Sequence, residues 1–132
     1  MMKETILIVE DEEMVRGLAS RGLREHGYTV IEARHGVDAL RQLEFRSEVD
    51  LVISDVVMPE MGGRELGWRL ASLRPSLPVL YMSGYTGEDV TQRGLLEPGA
   101  PFRQKPFAPE ELARTVREML DAARARAPLA DA

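Results

Sequence analysis

Glu10 and Asp11 follow the apolar run 5–9, Asp55 follows 51–54, Ser83 follows 79–82, and Lys105 closes a short run beginning at Phe102. Four strand-like segments thus end in a carboxylate pair, a carboxylate, a hydroxyl and an amine. In an open parallel sheet, ligands bind outside the carboxyl ends of the strands, near the point where strand order reverses. These residues, distant in sequence, are therefore expected to meet. Three carboxylates in one small volume repel, so the site must take up protons or bind a cation. Oxygen donors without His or Cys suit a hard ion such as magnesium. Asp11 and Asp55 are direct ligands on this reading, and Glu10, one carbon longer, acts through a water. Lys105 can pair with Asp55 and with a phosphoryl oxygen, and Ser83 offers a compact hydroxyl donor. Each residue alone has an ordinary explanation: an acidic helix start for 10–13, a solvated loop carboxylate for Asp55, a surface lysine before a turn for Lys105. The Lys105-Pro106 bond admits a cis form, because X-Pro isomers differ by only about 0.5–1 kcal/mol.

The elements that must position these groups are legible in the apolar pattern. Residues 5–9 are β-branched and almost wholly apolar, as in a strand buried on both faces. From Glu12 to about His26, Met14, Val15, Leu18, Ala19, Gly22 and Leu23 recur at helical spacing, and His26-Gly27 stops the helix. Residues 28–33 read as a second strand, and Val37, Leu40 and Leu43 mark a second helix. Residues 50–54 form a third strand. After Pro59 and Gly62-Gly63, the stripe Leu66, Leu70 and Leu73 predicts a third helix, with Trp68 off the stripe and partly exposed. Residues 78–82 form the fourth strand. Residues 87–96 predict a short helix, because Gly94 and Pro98-Gly99 interrupt it. Residues 101–104 make a short fifth strand suited to an edge. Pro109 opens a last helix whose apolar face is Leu112, Val116, Met119, Leu120 and Ala123. Strands alternating with helices predict an α/β fold with right-handed crossovers and a parallel sheet covered on both faces.

Bulk properties narrow the class. The 132 residues suit one domain. A net charge of −5 with no basic block argues against nucleic acid as a direct partner. With no cysteine, thiolate chemistry and Cys-type zinc sites are excluded. No apolar run is long enough to span a bilayer, and the lack of cysteine fits a reducing cytoplasm, which is the expected setting. One domain is expected over 1–124, with a tail or linker stub over 125–132.

Taken together and in this order, the span from Thr5 to about Leu120 resembles the receiver domain of two-component response regulators. The residues that carry the resemblance are Ile6-Leu7-Ile8-Val9-Glu10-Asp11, Asp50-Leu51-Val52-Ile53-Ser54-Asp55-Val56-Val57-Met58-Pro59, Met82-Ser83-Gly84 and Lys105-Pro106-Phe107. The resemblance implies a flavodoxin-like, doubly wound sheet of strand order 2-1-3-4-5. It implies Asp55 as phosphoacceptor, and magnesium on Asp11, Asp55 and the backbone carbonyl of Val57, with Glu10 assisting. Ser83 and Lys105 would contact the phosphoryl group. Ser83 and Phe102 would form the switch pair; many relatives carry tyrosine at the position of Phe102, so only the packing part of the switch is expected here. The implied partner is a sensor histidine kinase or histidine phosphotransfer protein, and the implied role is a signalling module, monomeric or weakly dimeric, rather than an enzyme.

Residues 84–87 and 94–100 look like those of receivers at the C-terminal end of hybrid histidine kinases, and residues 87–99 are expected to be loosely held. Tyr85, two after Ser83, is expected beside the entrance to Asp55. His26 and His35 read as helix-end and loop residues, not phosphodonors. A phosphatase using an aspartyl-phosphate intermediate of the haloacid dehalogenase type places a second Asp two residues after the nucleophile. Val57 stands there instead. A flavodoxin-like cofactor carrier would need a phosphate-binding loop after the first strand, where this chain has Glu10-Asp11-Glu12-Glu13. A receiver-like module that no longer takes phosphate would lack the Asp, Ser or Lys, and all three are present.

Overall fold

The computed structural model describes residues 3–126. Strands β1 (Thr5–Val9), β2 (Thr29–Ala33), β3 (Val49–Asp55), β4 (Val79–Ser83) and β5 (Phe102–Gln104) alternate with helices α1 (Glu13–Glu25), α2 (Gly36–Phe45), α3 (Gly63–Leu73), α4 (Gly87–Gln92) and α5 (Pro109–Ala125). The strands pair in parallel in the order β2-β1-β3-β4-β5, as expected. The chain turns one way from β1 to β2 and the other way from β3 onward. The ends of β1 and β3 therefore flank the reversal of strand order, where a cleft opens.

Alternation along β1 divides the core. Ile6 and Ile8 pack with Leu23 of α1 and Leu112 and Val116 of α5. Leu7 and Val9 pack on the opposite face with Ala39 and Leu43 of α2 and Leu66 and Leu70 of α3. A smaller cluster of Val56, Tyr81, Val90 and Leu96 lies beneath α4, and half-buried Phe102 packs against it.

The helix stripes are narrower than the apolar spacing predicts. In α1 the buried residues are Arg16, Ala19, Ser20, Gly22 and Leu23. Met14 and Leu18, expected inside, are 79% and 62% exposed. The reason is that α1 packs against α5 as well as the sheet: a Cβ on Gly22 would lie 2.8 Å from the Pro109 side chain. That turns the buried arc toward 16, 19, 20 and 23. In α3, Leu66 and Leu70 are buried but Leu73, in the last turn, is exposed. There the α2–α3 end is closed by polar contacts, with Arg74 Nη2 donating to the carbonyls of Leu43 and Arg46 at 2.6 and 2.8 Å.

The fourth helix is shorter than residues 87–96, ending at Gln92 before Gly94 at φ +69°. The stretch after it, expected to be loosely held, has specific ties. Arg64 of α3 donates to the Gly94 carbonyl at 2.7 Å and pairs with Glu97 at 3.1 Å. Trp68 Nε1 donates to the same carboxylate at 3.4 Å, and the Arg64 guanidinium stacks 5.0 Å from the Trp68 ring. His35 caps α2, its Nδ1 accepting from the Asp38 amide at 3.1 Å. Of the expected tail over 125–132, Ala125 completes α5 and Arg126 caps it; residues 127–132 lie outside the described residues.

Candidate functional site

The last link of the β1–β2 ladder places Glu10: its amide donates to the Ala33 carbonyl at 3.1 Å, and the residue is fully buried. Asp11 follows it to the surface. Asp55, expected just past its strand, is the last residue of β3 and only 8% exposed. One carboxylate oxygen from each of Glu10, Asp11 and Asp55 lies within 4.8 Å of the others. Lys105, beyond β5, extends its ammonium into this group, 3.0 Å from Glu10 Oε1 and 3.5 Å from Asp55 Oδ1. The expected Lys105–Asp55 pair is present, but the shorter contact is to Glu10. Asp55 Oδ1 also accepts from the Val56 amide at 2.9 Å, which holds the carboxylate in place. The Lys105-Pro106 peptide is cis.

Crowding sets the charges. Burial pushes the Glu10 carboxyl up to about 8, the neighbouring Asp55 carboxylate adds to the rise, and Lys105 only partly offsets it. For Lys105, burial disfavours the ammonium, but its contacts with Glu10 and Asp55 outweigh burial and raise its pKa. Lys105 is therefore a fixed cation. Glu10 Oε2 is buried and has no hydrogen-bond partner. An orphaned carboxylate oxygen beside two further carboxylates fits a hard divalent ion. Among the described residues this is the one group of three or more acidic or histidine side chains so arranged.

The other expected residues surround this core. Ser83, at the end of β4, is buried, and its Oγ accepts from the Tyr85 amide at 3.1 Å. The Lys105 amide donates to the Ser83 carbonyl at 2.8 Å, linking the β4 and β5 contributions directly. Val57 is 52% exposed and Tyr85 is 42% exposed, with Arg93 stacked on the Tyr85 ring at 4.9 Å. Phe102 lies under α4, within reach of Gly87 rather than in the acidic group.

Two contributors escape the sequence patterns: Gly63 and Arg16. A Cβ on Gly63 would come within 2.7 Å of the Asp55 carbonyl and 3.2 Å of Val56 Cα. Both are backbone atoms that cannot swing away. Alanine usually favours a helix over glycine by up to about 1 kcal/mol, but overpacking costs about 1–3 kcal/mol. Gly63→Ala is thus expected to lower stability, measured by urea denaturation, and to disturb Asp55 itself. Arg16 sits inside α1's buried arc, its Nη1 donating to the Glu10 carbonyl at 2.8 Å and its Nε to Glu32 Oε1 at 3.0 Å. The available signal was an arginine three and four residues before Ala19 and Ser20 on one helix face.

The response regulator receiver domain profile matches residues 6–117. The chain belongs to that family. Sensor kinase CckA of Brucella abortus is 46% identical over 119 residues, covering 89% of this chain and 12% of that protein. The regulatory protein PhoP of Bacillus subtilis is 32% identical over 127 residues, covering 96% of this chain and 52% of that one. The crystal structure of the receiver domain of hybrid histidine kinase CckA superposes with a TM-score of 0.74 at 38% identity, covering 88% of this chain and 98% of that one. The kinship to hybrid-kinase receivers expected from residues 84–100 is thus matched by similarity to this kinase. The chain spans about an eighth of sensor kinase CckA and about half of PhoP. As a receiver domain it belongs to the signalling modules of two-component systems, in which the receiver accepts a phosphoryl group. No described helix is long and apolar enough to cross a membrane.

Proposed function

We propose that Asp55 is the phosphoacceptor, and that magnesium is held by Asp11, Asp55 and the Val57 carbonyl, with Glu10 assisting. The observation that carries this reading is the Lys105 ammonium set between Glu10 and Asp55, where three carboxylates converge. When bound, the ion supplies positive charge to the oxygens of the transferring group. The chain's residues do the rest. An Asp55 oxygen attacks the phosphorus of a phosphohistidine; a P–O bond forms as the P–N bond breaks, and the imidazole leaves. Lys105 meets the charge on the phosphoryl oxygens. Ser83, whose oxygen accepts from Tyr85, keeps its own proton to donate to the phosphoryl group. Movement of Ser83 toward that group opens space for the ring of Phe102, which has no hydroxyl to report the state by hydrogen bonding.

The donor is a sensor histidine kinase or a histidine phosphotransfer protein. Asp55 is nearly buried, so the donor must cover the surface around it. An apolar groove of about 340 Å³ adjoins Lys105, lined by Val15, Leu18, Gly22, Phe107 and Leu112. Exposed Met14 and Leu18 suit the flank of a donor helix carrying the phosphohistidine. The receiver unit is taken as residues 1–124, acting in the cytoplasm as a signalling module.

The test is intact-mass measurement after incubation with acetyl phosphate and magnesium. A single phosphoryl adduct, cleaved by hydroxylamine as acyl phosphates are and lost with a chelator, is the expected result. No adduct with acetyl phosphate or with a phosphorylated histidine donor overturns the reading.

Val57 sets the lifetime of the product. Its side chain cannot hydrogen-bond an attacking water. In Val57→Asn, one such bond, worth about 1 kcal/mol, should shorten the acyl-phosphate half-life roughly fivefold. Equal half-lives, followed by mass spectrometry, would refute this.

A further inference from the structure

The Glu10 carbonyl lies past the end of β1 and points into the protein. Its partner is a side chain from the first turn of α1: Arg16 Nη1, in a buried hydrogen bond of 2.8 Å. A peptide unit is planar, so fixing the Glu10 carbonyl also fixes the Asp11 amide and the direction in which the Asp11 chain departs. Arg16 is itself only 9% exposed and is held from the far side. Its Nε bonds Glu32 Oε1 at 3.0 Å, and Arg24 Nη1 lies 3.6 Å from the other Glu32 oxygen. Glu32 belongs to β2, and its backbone carbonyl is bonded by Gln42 of α2 at 2.8 Å. The support behind the Glu10–Asp11 peptide thus runs through α1 into β2 and α2.

We propose that Arg16 is a positioning residue for the cation site, acting through the Glu10–Asp11 peptide, with Glu32 as its anchor. The proposal rests on the reading of the site given above. Glu32 has a second part. A guanidinium one peptide away from a cation site opposes the ion by repulsion, and pairing with Glu32 offsets that charge. The two effects of Arg16 therefore have opposite signs. If charge dominated, removing the guanidinium would tighten magnesium binding. If geometry dominates, removing it weakens binding. The buried 2.8 Å bond to the site's own backbone favours geometry, and groups that orient metal ligands typically matter about tenfold or more in affinity.

The experiment is isothermal titration of magnesium into the unphosphorylated protein, with thermal unfolding of each variant alongside. Arg16→Met keeps the aliphatic bulk and is expected to raise the magnesium Kd about tenfold. Arg16→Lys retains charge but cannot make both contacts, and should fall between. Glu32→Gln leaves Arg16 charged and less firmly held, and should also weaken binding. The second readout is phosphorylation by acetyl phosphate across magnesium concentrations: the half-saturating concentration should rise while the maximal rate is retained. An unchanged or lower Kd in a folded Arg16→Met variant overturns the proposal, as does a lower maximal rate at unchanged Kd. If Arg16→Met fails to fold, the Glu32→Gln result decides alone, an unchanged Kd being the negative outcome. Failure of the unsubstituted protein to bind magnesium sinks the reading of the site; normal binding with indifferent variants sinks only the role of Arg16.

Discussion

Asp55→Asn is expected to abolish the phosphoryl adduct from acetyl phosphate, with the fold retained. The nucleophile must be an anionic oxygen beside Lys105, and the amide of Asn offers no such oxygen. The neighbouring carboxylates are poor substitutes. Glu10 is fully buried with one oxygen on the Lys105 ammonium, and its carboxyl holds a proton up to about pH 8. Asp11 is exposed, and Lys105 is not within pairing distance of it among the ion pairs of the described residues. Intact-mass spectra of both proteins give the answer, and an adduct of equal yield in the variant would show that another residue accepts the group. A side effect has a definite sign. Asp55 is one of the groups that push the Glu10 pKa upward. Removing its charge relieves that effect, so Glu10 should release its proton at lower pH in the metal-free variant.

Magnesium should stabilise the protein strongly, and more so as the pH rises. Without the ion, the folded state keeps the Glu10 proton up to about pH 8, whereas an unperturbed glutamate releases it near 4.5. The folded state thus binds more protons than the unfolded one between these values. The stability contributed by this group is full below about 4.5 and is lost as the pH rises through about 8. A bound cation favours the ionised carboxylate, so binding and deprotonation are linked. At a hundredfold excess over Kd, ligand binding adds about 2.7 kcal/mol, roughly 10 °C in melting temperature for a domain of this size. The gain measured at about pH 8.5 should exceed that at about pH 6. Calorimetry in buffers of different ionisation enthalpy should show proton release at the lower pH. A gain independent of pH, or Glu10→Gln titrating like the parent, would remove Glu10 from the linkage.

Much of this was legible in the chain because buried parallel strands read as apolar runs. Residues 5–9 and 51–54 could hardly be anything else, and polar residues at the ends of such runs fall in the cleft by topology. Glu10, Asp11, Asp55 and Lys105 therefore came together as expected. Helix faces were less legible. Periodicity places Met14 and Leu18 on an apolar stripe, but only the packing of α1 against α5 decides which part of that stripe is buried. For the same reason Arg16 reads as a surface charge until the helix is seated on the sheet. Gly63 reads only as part of a loop, since its need for a missing Cβ comes from the close return of the chain onto the end of β3. The ties from Arg64 to Gly94 and Glu97 join residues about thirty positions apart through side-chain tips, which no local pattern encodes.

Those ties have an optical consequence. Trp68 is the only tryptophan in the chain, and it touches both Arg64 and Glu97, half in solvent. Indole emission shifts with the charges and water beside the ring. The intrinsic fluorescence of the unlabelled protein therefore comes from one spot, where α3 meets the segment that leads from α4 to β5. Any rearrangement of that segment that breaks the Glu97 contact is visible as a change in colour or intensity, with no dye attached and no residue replaced.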